Sequence, residues 1–105
     1  MAQKKVIWTE TAARQRRLIL EYWLQRNKSS RYPIKLLQLS NNKAERIAEN
    51  PFLFKESELP NIRMAAMGHF SMFYKIAEDT IIITAFWDNR QDPKKLMELL
   101  KGDAK

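Results

Sequence analysis

The chain has no cysteine, one histidine and two glycines in 105 residues. Without cysteine there is no disulfide scaffold and no zinc site built on thiolates. A lone histidine, His69, excludes an all-histidine metal cluster. Gly68 and Gly102 are too few to form a phosphate-cradling loop, so a mononucleotide or dinucleotide fold is not expected. No apolar run approaches the roughly 20 residues that cross a bilayer. The stretch Met1–Trp8 carries basic residues with no long apolar run behind them, unlike a secretory leader. The expectation is a soluble, cytoplasmic protein that uses no metal or other cofactor and no membrane.

What is present suits one core. A chain of 105 residues, 45% of them hydrophobic, is the size of a single domain spanning 1–105. Charge is unevenly spread. Residues 1–50 hold 11 Lys/Arg against four Asp/Glu, whereas residues 51–105 hold eight of each, so the first half carries the whole net charge of +7. A basic half-domain attracts phosphates or an acidic protein partner, although surface cations also serve solubility alone.

The patterning changes period along the chain. Lys4–Trp8 alternates and reads as a short strand. Thr9 is a plausible N-cap, and from Glu10 to Asn27 the apolar residues Ala12, Ala13, Ile19, Leu20, Trp23 and Leu24 share one side of a helical wheel. Leu18 and Tyr22, one turn apart, form a second apolar patch off that stripe, open to a partner or to a covering loop. Asn27–Ser30 breaks the helix, Ser30 can cap a second one, and Asn50-Pro51 ends it, which predicts an antiparallel pair of helices over 10–27 and 31–49. Lys35, Lys43 and Arg46 lie on the polar side of the second helix. In the following loop, Phe52, Leu53 and Phe54 are expected to pin the chain to the core. Ile62–Met67, Phe70–Ile76 and Ile81–Trp87 then read as strands, joined by Gly68-His69 and by Ala77–Thr80. Asp92-Pro93 starts a short final helix, with Leu96, Leu99 and Leu100 behind it and Gly102 closing it. The order βααβββ plus a short C-terminal helix predicts an α+β fold: an antiparallel twisted sheet with the N-terminal helical hairpin packed on one face.

This order, on a basic chain of this length, resembles the RelE/ParE family of bacterial type II toxin–antitoxin toxins. The stretches that carry the resemblance run from Val6-Ile7-Trp8-Thr9, through Ile62-Arg63 and Gly68-His69-Phe70-Ser71-Met72-Phe73-Tyr74-Lys75-Ile76, to Phe86-Trp87-Asp88-Asn89-Arg90-Gln91-Asp92-Pro93. The resemblance implies a growth-inhibiting toxin neutralised by a cognate antitoxin through an acidic, partly disordered segment. One branch of the family cuts messenger RNA on the ribosome. The ParE-like branch acts on DNA gyrase by protein contact. A third reading is a non-toxic module kept for antitoxin binding.

Metal-free RNA cleavage needs a general base, a general acid and cations beside the phosphate. The resemblance offers Arg63 and Arg90 as the cations, and His69 is the side chain whose ordinary pKa lies near neutrality. Tyr74 and Asp88 are further acid or base candidates. Each has a plainer role: Arg63 beside the acidic loop Glu56–Glu58, His69 solvated in a turn, Tyr74 in the core, Asp88 and Asp92 as turn and cap residues. Nuclease members tend to place a tyrosine or a His-Tyr pair at the end of the last strand, where this chain has Trp87-Asp88-Asn89-Arg90. Protein contact is therefore the leading expectation. Trp87, Arg90, Lys35, Lys43 and Arg46 would bind the target, and Leu18 and Tyr22 the antitoxin. In a simple meander Arg63 lies at the opposite end of the sheet from Arg90, while His69, Trp87 and Arg90 share an end.

Overall fold

The computed structural model describes residues 4–92, 94–96, 98 and 100. Strand β1 (Lys5–Trp8) leads into helix α1 (Glu10–Asn27), whose cap is Thr9: its Oγ1 accepts the Ala12 N–H at 3.1 Å. Lys28, in the left-handed region at φ 51°, stops the helix. Helix α2 (Arg31–Glu49) follows at once. Its expected cap, Ser30, makes no capping hydrogen bond; Ser29 Oγ accepts the Arg31 N–H instead, at 3.2 Å. The helices run antiparallel, with Arg16 reaching Ser40 and Asn41, and Trp23 lying against Tyr32.

Strands β2 (Arg63–Met67), β3 (Phe70–Ile76) and β4 (Thr80–Asp88) form the expected antiparallel meander. Gly68, at φ 63°, opens the two-residue turn between β2 and β3. The α+β class and the element order are as the sequence predicts, but the sheet is mixed. Its order is β1-β4-β3-β2, and β1 pairs with β4 in parallel, Val6 opposite Ile81 and Trp8 opposite Ile83. The helical hairpin is the crossover that returns the chain to the far edge of the sheet. The direction of a pair so distant in sequence is not written in either strand's own pattern.

The hairpin covers one face, where Ala12, Leu36, Ala44 and Ile47 meet Phe70, Met72, Tyr74, Ile81, Ile83 and Phe86. The opposite face holds a smaller cluster of Ile62, Phe73, Ala85 and Trp87 with Leu96 and Leu100. Residues 94–96, 98 and 100 are helical, in the span expected for the final helix; Pro93, Leu99 and Gly102, to which its start, packing and end are assigned, lie outside the described residues.

A β-bulge decides which residue of β4 faces which way. Phe73 opposes Ala85 but Tyr74 opposes Ile83, so Thr84 is an extra residue in β4. Before it, Ile81 and Ile83 face the hairpin; after it, Phe86 does. Thr84 Oγ1 donates to Phe73 O at 3.3 Å, and Gln15 Oε1 on α1 accepts the Phe86 N–H at 2.8 Å. Without the bulge, strict alternation would turn Trp87 toward the hairpin and Asp88 away from it.

Candidate functional site

Arg90 leaves the end of β4 on the hairpin side and is clamped at once. Its Nε donates to Asp88 Oδ1 at 2.9 Å and its Nη2 to Oδ2 at 2.8 Å, and its backbone N–H also donates to Oδ1 at 2.9 Å. A two-pronged guanidinium–carboxylate bond fixes direction as well as distance. The hydrogen bond from Arg90 holds the Asp88 carboxyl below its ordinary range, and the same bond raises the guanidinium. The Asp88 side chain is 14% exposed and that of Arg90 is 48% exposed, so the base of the clamp is sheltered while its tip reaches solvent.

The sign of the pH effect follows. A carboxyl with a depressed folded-state pKa contributes stability above its unfolded value and loses it as pH falls through the folded value. Asp88→Asn should therefore shrink the drop in denaturation midpoint between about pH 7 and about pH 3. An unchanged drop would show that the clamp contributes nothing to acid sensitivity.

The Arg90 guanidinium lies 5.8 Å from the Trp23 ring and 5.9 Å from that of Phe70. Trp23 is wedged edge-on between Tyr22 at 5.2 Å and Tyr32 at 5.3 Å, with Arg26 5.9 Å from its own ring. Both guanidinium groups thus lie within the range at which a cation is attracted to the negative face of an indole. Leu18, Ile19, Tyr22, Trp23 and Arg26 of α1, with Asp88, Arg90 and Gln91, line an open cleft of about 580 Å³. Leu18 is 54% and Tyr22 55% exposed, so the second apolar patch of α1 is bare and continuous with the arginine.

His69 is exposed in the β2–β3 turn at the same end of the sheet, where its carbonyl accepts the Asn89 N–H at 2.7 Å. Trp87 reaches this end by backbone only. Its indole lies on the opposite face among Phe73, Ala85 and Leu96, 8% exposed, so it does not share a contact surface with Arg90. The bulge at Thr84 is the reason.

Arg63 belongs to a second cluster at the other end. It is paired with Tyr74 in the sheet, four residues or about 13 Å along β3 from Phe70. Its Nη1 donates to Phe54 O at 2.6 Å, and its guanidinium stacks 4.9 Å from the Phe52 ring. Among the described residues it forms no ion pair with Glu56 or Glu58. The ammonium of Lys43 lies 5.4 Å from the Phe54 ring, so Lys43 and Arg63 flank one loop. Tyr74 is fully buried and its hydroxyl donates to Pro51 O at 2.7 Å; burial pushes its pKa up, against a smaller opposing effect of Arg63, which removes it as a base. Phe54 pins the loop as expected, whereas Phe52 is 68% and Leu53 49% exposed. Lys35 and Arg46 are exposed on α2.

Arg63, Arg90 and His69 thus form no single centre. Trp23 and Arg26 are the residues that sequence patterning passes over. Arg26 follows Leu18 and Tyr22 at the same four-residue step, which extends their face to the helix end, whereas Trp23 reads as core because it lies on the main stripe. Among the described residues no group of three or more His, Asp or Glu is placed to hold a metal ion, and no helix is long and apolar enough to cross a membrane.

Residues 6–93 match the family described as the ParE toxin of the type II toxin–antitoxin system parDE. Among solved structures, the chain is similar to one from the chromosomal ParDE toxin–antitoxin system of P. aeruginosa, with a TM-score of 0.69 and 17% identity, covering 80% of this chain and 94% of that one. It is also similar to one from the RelBE2 toxin–antitoxin complex of Mycobacterium tuberculosis, with a TM-score of 0.57 and 16% identity, covering 81% and 96%. No curated protein sequence matches it.

Proposed function

This chain belongs to the ParE toxin family and is the toxin component of a type II toxin–antitoxin module, and from that premise we propose that it inhibits growth by gripping a protein target of the gyrase type in the cytoplasm. The observation that carries this reading is the separation of the two arginine clusters. Cleavage of RNA would require cations, an acid and a base around one phosphate. Here Arg63 is tied to the 51–54 loop and Arg90 to Asp88, at opposite ends of the β2–β3 pair. Tyr74 is locked in the core, and Asp88 is engaged on both oxygens. A rigid arginine over an indole, beside bare apolar side chains, is by contrast the composition of a protein-contact hot spot.

The partner that neutralises it is the cognate antitoxin, expected to be acidic and partly disordered before binding. The single domain 1–105 then works without metal or cofactor. The test uses one purified sample in two assays: DNA supercoiling by gyrase, and messenger RNA integrity on translating ribosomes. Supercoiling should be blocked and the messenger left whole. Cleaved messenger with unaffected gyrase would replace this reading with that of a ribosome-dependent endonuclease, and growth unaffected by expression would leave a non-toxic binding module.

A further inference from the structure

We propose that Gln15 is a positioning residue for the target-contact surface: its side-chain carbonyl holds β4 in the bulged register that turns Asp88 and Arg90 toward the hairpin. The part of this inference that concerns toxicity rests on the reading that Arg90 carries the target contact. Strand β1 accompanies β4 only as far as Trp8 opposite Ile83, and the Thr9 N–H donates to Ile83 O at 3.0 Å as the chain turns into α1. Beyond that point β4 runs on to Asp88 with α1 beside its outer edge instead of a strand.

The bulge changes which residues present their backbone to that edge. The Asn89 N–H donates to His69 O at 2.7 Å, so Trp87 and Ala85, at steps of two before it, turn their N–H and C=O groups to β3, opposite Ser71 and Phe73. Phe86 and Asp88 turn theirs to the strandless edge. There Gln15 Oε1 accepts the Phe86 N–H at 2.8 Å. In a β4 without the extra residue at Thr84, Phe86 would stand opposite Ser71 and its N–H would point at β3, away from α1. The hydrogen bond therefore exists only in the bulged register, and Gln15 favours that register over its competitor. Phe86 is fully buried, so an amide left unpaired there carries the cost of a desolvated donor. On the β3 side the bulge is held by a longer bond, from Thr84 Oγ1 to Phe73 O at 3.3 Å. Gln15 also shares a cavity of about 130 Å³ with Leu18, Ile19 and Asp88. It thus grips β4 two residues before the carboxylate that aims Arg90, and acts on the guanidinium through the strand.

The test compares Gln15→Leu, which removes the acceptor, with Gln15→Glu, which keeps an oxygen at the same reach. Circular dichroism checks that both variants are folded. In the unaltered protein, NMR should detect a coupling through the hydrogen bond between the Phe86 amide and the Gln15 side-chain carbonyl. Its absence would overturn the proposal whatever the variants do. The Arg90 Nε–H signal reports the Asp88 clamp directly. In Gln15→Leu this signal should move, its exchange with water should quicken roughly tenfold, and survivors of induction should rise roughly tenfold. Gln15→Glu should recover both the signal and the growth arrest, a rescue that general damage to α1 would not allow. An Arg90 signal unchanged in Gln15→Leu, or lost equally in both variants, would overturn the proposal, because the acceptor would then not set the direction of Arg90. A displaced Arg90 signal with full growth arrest would uphold the positioning role and remove Arg90 from the target contact, which separates a failure of that reading from a failure of this one.

Discussion

Replacing Arg90 with alanine should abolish growth inhibition while leaving the protein folded. Arg90 is surface-exposed and packs only by its edge on Trp23 and Phe70, so its loss removes little core. What is lost is a pre-aimed cation. The Asp88 carboxylate holds the guanidinium by two prongs, so little side-chain freedom remains to be frozen when a target docks. Truncating an anchor of this kind should lower affinity for the target by a factor of roughly 30. Arg90→Lys should recover only part of the activity, because an ammonium cannot occupy both carboxylate oxygens in the forked geometry. The measurement is survival after induction, with circular dichroism and thermal melting as the check on fold. Undiminished arrest by the alanine variant would remove Arg90 from the contact surface and shift attention to the Phe52–Arg63 end.

The largest loss of stability should come from Phe86→Ala. Phe86 is fully buried, stacked on Phe70 at 5.6 Å and tilted against Trp8 at 6.2 Å, and it joins β4 to the hairpin through neighbouring core residues. Emptying such a site costs about 3–5 kcal/mol through lost transfer energy and the cavity left behind. A domain of this size has about 5–15 kcal/mol in total, so the variant should be marginal at 37 °C. Phe52→Ala is the contrast: the ring is two-thirds exposed, and its removal should change stability by no more than about 0.5 kcal/mol. Denaturant midpoints at unchanged slope would measure both. A loss below about 1.5 kcal/mol for Phe86→Ala would mean that the site collapses around the vacancy.

The helical hairpin was legible because its signals are local. Thr9 stands before a helical stripe, and Asn27–Ser30 and Asn50-Pro51 interrupt it, each acting through neighbours a few residues away. The three meander strands were legible for the same reason: alternation and a Gly68-His69 turn are written within ten residues of each other. The separation of Arg63 from Arg90 also followed from chain order, since the first and third strands of a meander run the same way. The apolar pair Leu18 and Tyr22 could be seen off the main stripe, but not what lay opposite it. Tertiary structure alone decided the parallel seating of β1 on β4, because that pairing joins segments some 75 residues apart whose own patterns carry no direction. It decided the exposure of Phe52 and Leu53, where one aromatic, Phe54, was enough to pin the loop. Above all it decided the face of Trp87 and of Arg90. A single extra residue at Thr84 reverses every side chain after it, because the period of a strand is two, and whether a strand carries a bulge depends on its partner's register rather than on its own sequence. That one residue turns Trp87 away from the hairpin into the smaller cluster on the opposite face and brings Asp88 and Arg90 round to Trp23.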